Sequence, residues 1–216
     1  MPSQFFGLNI AYKGLLASNA ALNTTSNNIS NVQTAGYSRQ QVVQQASDAL
    51  RVFQTYGCAG AGVDTIAIER IRNEFYDNKY WTANTSLGEY NIKEYYMAQM
   101  ETYFTDDGKY TGFKTIFNQL YVTGLQAVMK DPSSSSSKAQ FIGYAGSLTD
   151  YFNGMAGNIQ HLQKDANQEI KLKVDEINSL AGEIASLNKQ INVIELTGSK
   201  ANELRDRRTL LLDKLS

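Results

Sequence analysis

Phe5, Leu8, Tyr12, Leu15, Leu22 and Ile29 recur at alternating three- and four-residue steps, with Asn19 and Ser26 on the same stripe. That period predicts an amphipathic helix over the first thirty or so residues. Ala, Gly, Asn, Ser and Thr make up most of the other faces, and Lys13 is the only charged side chain from Met1 to Ser38. Asn31 and Thr34 weaken the helix and Gly36 is its expected stop. Burying this stripe releases less free energy than ordering the segment costs, so it is not expected to fold alone. A helix this poor in charge suits enclosure on several sides, where an unpaired charge would be penalised by desolvation. Its partner is either the rest of the same chain or a neighbouring subunit.

Helical period vanishes between Arg39 and Glu69, where Val42, Val43, Val52, Phe53, Val63, Ile66 and Ile68 sit among Gln, Thr and Gly. This reads as an extended or short-strand linker. Gly57, Gly60 and Gly62 match neither phosphate-loop spacing and are read as turn glycines. From Arg70 to about Phe104 a helix is expected, with Ile71, Phe75, Leu87, Ile92, Tyr96 and Met100 inward and Trp81 near that face. Asp106, Asp107 and Gly108 mark a turn, and a second helix is expected from Gly112 to Lys130, carrying Ile116, Leu120, Leu125 and Val128. Asp131-Pro132 and the following serines break the chain and restart it, since Pro suits a first helical turn and Asp or Ser caps it.

Phe141, Ala145, Leu148, Phe152, Met155, Ile159, Leu162 and Ala166 then step four and three, the spacing of a packed helical seam. Two further steps of four reach Ile170 and Val174, a stutter, before Ile177, Ala181, Ile184, Ile191 and Ile194 continue the pattern. About 60 such residues would form a helix of about 90 Å if unbroken. Gly143, Gly146, Gly154, Gly157 and Gly182 are expected at close helix contacts or bends. After a stop at Gly198, residues 201–216 predict another helix, with Leu204, Leu211, Leu212 and Leu215 inward and Glu203, Arg205, Asp206, Arg207 and Arg208 solvated. That pattern is still open at Ser216, so the chain is expected to be truncated there.

The expected fold is therefore mainly α: an elongated long-helix bundle with coiled-coil-like packing, preceded by the amphipathic helix and the extended linker. Its expected segments are 1–38, 39–69 and 70–216.

Twenty basic and 21 acidic side chains give 216 residues a formal net charge of -1, which supplies no basic face for nucleic acid and no polybasic membrane patch. No apolar run is long enough to span a bilayer, and polar residues interrupt the N-terminal stretch, so neither membrane insertion nor a cleaved signal peptide is expected. Cys58 is the only cysteine and His161 the only histidine, which leaves no zinc spacing and no nucleophile–base pair. Both are read as incidental. Asp175 with Glu176, and Glu203 with Asp206, read as helix surface charges. No catalytic residue, metal or cofactor is expected.

The run from Ser26 to Gln40 contains Asn27-Asn28-Ile29, Asn31, Thr34 and Gly36-Tyr37. It closely resembles the N-terminal signature of the bacterial flagellar axial proteins, whose usual wording is Asn-Asn-Ile-Ala-Asn-x-x-Thr-x-Gly-Tyr. Ser30 and Ala35 depart mildly from it. Val174-Asp175-Glu176-Ile177-Asn178, Ile184-Ala185-Ser186-Leu187-Asn188 and Ala201-Asn202-Glu203-Leu204-Arg205-Asp206-Arg207 resemble the hook-associated members of that family rather than its hook or rod members.

The resemblance implies a self-assembling axial subunit at the hook–filament junction, outside the cell and exported without signal cleavage. Implied partners are further copies of the chain in a ring, the hook protein, a second junction protein and a flagellar export chaperone. Residues 1–38 would be the inner-tube helix, pairing with a C-terminal helix not in this sequence. On that basis Leu8, Tyr12, Leu15, Leu22 and Ile29 are the expected assembly interface. Asn28, Asn31, Gly36 and Tyr37 would shape the turn from helix to linker. The competing readings are a hook or rod subunit and a chaperone-like module that holds a partner helix.

Overall fold

A computed structural model describes residues 5–51, 57–107 and 111–216. Helix α1 (Phe6–Ser30) is followed by strands β1 (Gln40–Ala46), β2 (Leu50–Arg51), β3 (Cys58–Ala59) and β4 (Val63–Arg70). The helices α2 (Glu74–Tyr103), α3 (Phe113–Asn118), α4 (Gln126–Lys130), α5 (Ser135–Glu195) and α6 (Asn202–Leu215) complete the chain. The mainly α architecture and the short-strand linker are as expected. The chain divides into two compact units, residues 1–84 with 177–216, and residues 85–176. This grouping differs from the linear segments, because α6 returns to the strands and joins stretches that chain order separates.

In the first unit β1 and β4 pair antiparallel from Gln40 opposite Arg70 to Ala46 opposite Val63, and β2 pairs with β3 further along the same excursion. The register shifts after Val43, which faces Ala67 while Gln44 faces Thr65. Ile66 is thus the extra residue of a bulge, a device that bends a strand and re-aims its side chains. Val52 and Phe53 lie outside the described residues.

α1 lies on this hairpin with the opposite face to the one its apolar period suggests. Ala17 and Thr24 are its buried residues. The Lys13 ammonium donates to Ser47 Oγ and pairs with Asp64, both at 2.9 Å, and Gln44 Nε2 donates to the Ala17 carbonyl at 3.3 Å. Hydrogen bonds from Ser47 and Lys13 hold the Asp64 carboxyl below its ordinary range. The segment therefore does have a home in its own chain: its small and polar residues are housed, with Ile10 beside Gly62, while the apolar stripe is not. Small residues let a helix backbone approach a strand pair closely, whereas the large side chains would hold it off.

In the second unit, α3, a π-helical segment (Gln119–Leu125) and α4 follow one another directly, so helix runs from 113 to 130 near the expected bounds. Asp106 caps its start by accepting from the Thr115 amide at 2.8 Å and the Thr115 hydroxyl at 2.6 Å. Gly108 lies outside the described residues. Gly124 is where a side chain is excluded: a Cβ there would sit 3.0 Å from Tyr144 Cδ2 and 3.3 Å from Phe141 Cδ2 of α5. The five α5 glycines expected at close contacts have nothing within 4 Å of such a Cβ, and α5 runs through them unbroken. Ser134, rather than Pro132, begins α5, its Oγ accepting from the Ser137 amide at 3.2 Å. Ile116 and Leu162 are buried here, and Phe113 stacks on Phe117 and meets Phe152.

The seam reading needs correction in places. Phe141, Ala145, Leu148, Met155 and Ala166 are half-buried, but Phe152, Ile170, Val174 and Ile177 are exposed. On α2, Trp81, Tyr96 and Met100 are half-buried, whereas Phe75, Leu87 and Ile92, expected inward, are exposed, as is Ile71 ahead of the helix. The physical reason is that α2 carries large side chains around its whole circumference, and one chain covers only part of them. The total accessible surface is 15878 Å². A compact monomer of this mass would expose about 9,900 Å², and two separate compact units about 12,000 Å². The accessible surface exceeds both figures.

Candidate functional site

The side chains of the predicted interface all face solvent. Their exposure runs from 58% at Tyr12 and 61% at Leu15 to 65% at Leu22, 66% at Leu8 and 69% at Ile29. Phe5 and Leu16 extend the same apolar face. A contiguous apolar face of this kind, on a helix whose other side is docked, is unusual on a monomer's surface.

The motif residues form the joint behind that face. α1 ends at Ser30, earlier than Gly36, with Asn31 closing it through its amide to the Asn27 carbonyl at 3.1 Å. Asn31 Nδ2 donates to Asn27 Oδ1 at 2.8 Å, and Thr34 Oγ1 donates to Asn31 Oδ1 at 3.1 Å. Asn28 does more than shape the turn. Its Oδ1 accepts from the Gln40 amide at 2.8 Å and from the Tyr37 hydroxyl at 2.9 Å, while its Nδ2 donates to the Gln40 carbonyl at 2.9 Å. One carboxamide thus satisfies both backbone groups of the first residue of β1, which is buried. Asn27 Nδ2 donates to the Tyr37 oxygen at 3.3 Å. Burial, then the charges of Asp206 and Glu203, push the Tyr37 hydroxyl above its usual value.

Gly36 has φ 77, and a Cβ on it would meet Leu210 Cβ at 3.1 Å, so backbone handedness and packing on α6 both require glycine. Ile29, by contrast, belongs to the motif by sequence but to the exposed stripe by position.

α6 takes a part in this joint that its charged residues do not announce. Asp206, expected to be solvated, is 6% exposed; it accepts from the Ser38 amide at 2.9 Å and from Arg70 at 3.0 Å. Asn202 Nδ2 donates to the Ile68 carbonyl at 2.8 Å, and Gln40 Nε2 donates to Glu203 at 3.1 Å. Trp81 Nε1 donates to Asp213 at 2.7 Å. Asn202, Asp206, Thr209 and Asp213 step four, three and four, so the polar stripe was readable at helical period; which strands it meets was not.

At the end of α5, Glu195 accepts two hydrogen bonds from Arg205, both at 2.6 Å. These bonds hold its carboxyl down to about 2. A carboxyl lowered on folding contributes stability above its unfolded pKa and loses it as pH falls through the folded one. The α5–α6 contact is therefore expected to weaken between about pH 4.5 and about pH 2. Glu195→Gln should flatten the Trp81 fluorescence profile over that window, and an unchanged profile would count against the pair.

His161 is exposed on α5, and Cys58 is exposed. Among the described residues no His, Cys, Asp and Glu side chains cluster to hold a metal, and no helix is long and apolar enough to cross a membrane.

Residues 97–216 match the family described as "Flagellar hook-associated protein FlgK helical domain". The chain belongs to this family. It is 35% identical over 223 residues to flagellar hook-associated protein 1 of Bacillus subtilis (strain 168), covering 100% of this chain and 43% of that protein. The Escherichia coli (strain K12) protein of that name is 30% identical over 214 residues, covering 97% of this chain and 38% of its own length. The Salmonella typhimurium one is 30% identical over 212 residues, covering 97% and 37%. The chain thus spans less than half the length of the curated relatives it matches. No solved structure matches it. Membership of this structural family agrees with the reading that the chain is not an enzyme.

Proposed function

We propose that the chain acts as part of a self-assembling axial subunit of the bacterial flagellum at the hook–filament junction. On this reading residues 1–38 form the inner-tube segment, and Leu8, Tyr12, Leu15, Leu22 and Ile29 pack against neighbouring subunits. Further copies of the chain, the hook protein and a second junction protein are its neighbours in the axis, and an export chaperone delivers it to the flagellar export channel. One observation supports this most: α1 is docked by the face opposite its apolar stripe and turns Leu8, Tyr12, Leu15, Leu22 and Ile29 outward.

The test is deletion of the gene followed by microscopy and by analysis of purified flagella from the complemented strain. Hooks without filaments in the deletion strain, with the protein present in purified flagella after complementation, are expected. Normal flagella in the deletion strain would end the reading. Lost filaments with the protein absent from purified flagella would favour the helix-holding chaperone instead.

A further inference from the structure

α6 meets the hairpin through polar groups rather than through its leucines. Asn202, Asp206 and Thr209 are buried, while Leu204, Leu210, Leu211 and Leu212 are half-buried. The two carboxylate oxygens of Asp206 serve different elements. Oδ2 accepts from the Ser38 amide at 2.9 Å, at the end of the turn that leaves α1; Oδ1 accepts from Arg70 Nη1 at 3.0 Å, at the end of β4. The same Nη1 reaches Thr209 Oγ1 at 3.2 Å. The pair is well enclosed, with side-chain exposures of 16% for Arg70 and 7% for Asp206.

A greasy contact tolerates sliding by a fraction of a turn. A buried carboxylate shared between a backbone amide and a guanidinium is satisfied in one register alone, and slippage leaves a charge and an amide unpaired in a poorly solvated place. Leu210 against Gly36 adds a steric stop one helical turn beyond.

We propose that Asp206 is a positioning residue: by bridging the Ser38 amide and the Arg70 guanidinium, it locks the turn between α1 and β1 to the end of β4 and so, beside the contacts α1 makes along the hairpin, fixes how α1 is seated there. α6 then shares with the hairpin and the turn residues in fixing where the apolar stripe points. This goes beyond the assembly reading and concerns the chain in isolation, so either can fail without the other.

The test uses spin labels at Ser18→Cys on α1 and Lys214→Cys on α6, both exposed positions, in a Cys58→Ser background. The parent protein should give one narrow distance distribution. Asp206→Leu should broaden it and raise hydrogen exchange at the Ser38 and Gln40 amides at least tenfold, with exchange in residues 140–176 unchanged. Asp206→Asn, the variant least prone to misfold, should keep the Ser38 amide protected yet broaden the distribution through loss of the Arg70 pair. The swap Asp206→Arg with Arg70→Asp restores opposite charges but no acceptor for Ser38, and should stay broad. A broad distribution in the parent, a narrow one in Asp206→Leu, or rescue by the swap would each overturn the proposal.

Discussion

Leu15→Asp is expected to leave the isolated chain folded and to abolish its incorporation into flagella. Leu15 is 61% exposed and faces away from the hairpin, so unfolding free energy should move by no more than about 0.5 kcal/mol, as for other surface substitutions. The same carboxylate in a dry contact between subunits would cost several kcal/mol per subunit, which is two or more orders of magnitude in association. The measurement is motility and filament number in a deletion strain complemented with the full gene carrying the change, beside thermal unfolding of the purified chain. Leu15→Met keeps volume and polarity and should complement fully. Normal incorporation of the Asp variant would remove the role assigned to the stripe.

Asn28→Ala should produce the largest loss of stability from a single side chain in the first unit. It deprives the buried Gln40 of a partner for its amide and another for its carbonyl, and the Tyr37 hydroxyl of its acceptor. Each buried polar group left unmet costs about 1–3 kcal/mol, so a loss of about 2–4 kcal/mol is expected. Trp81 is the only tryptophan and lies in that unit, so its fluorescence in a urea titration follows the change directly. Asn28→Asp keeps the acceptor but sets a carboxylate oxygen against the Gln40 carbonyl, so its midpoint should also fall below the parent's. A shift under 0.5 kcal/mol for Ala would mean that the carboxamide does not hold α1 to β1.

These two residues differ in how they could be read. Leu15 announces itself by period, because a helix places every third or fourth residue on one face whatever it packs against. Asn28 stands out only through the motif, since one side chain bridging to a strand twelve residues on has no periodic signal. Asp206 was misread for a related reason. A charged residue on a helix is solvated by default, and only the arrival of Arg70 and the Ser38 amide makes its burial tolerable. The inward positions assigned to α2 failed at Phe75, Leu87 and Ile92 because a helix with large side chains on all sides offers several candidate faces and no period to choose among them.

Local patterning determined that this chain would be mainly helical, where its described helices begin and end within a few residues, that short strands would follow α1, and that α1 would carry an apolar stripe without charge to balance it. Those properties depend on neighbours within one or two turns. Tertiary structure alone decided that α1 docks by its small face, that α6 returns to the strands, and that its polar stripe closes the joint behind the motif. Such contacts join residues from 27 to 168 positions apart, and shape, charge pairing and hydrogen-bond satisfaction select among them only once the elements meet.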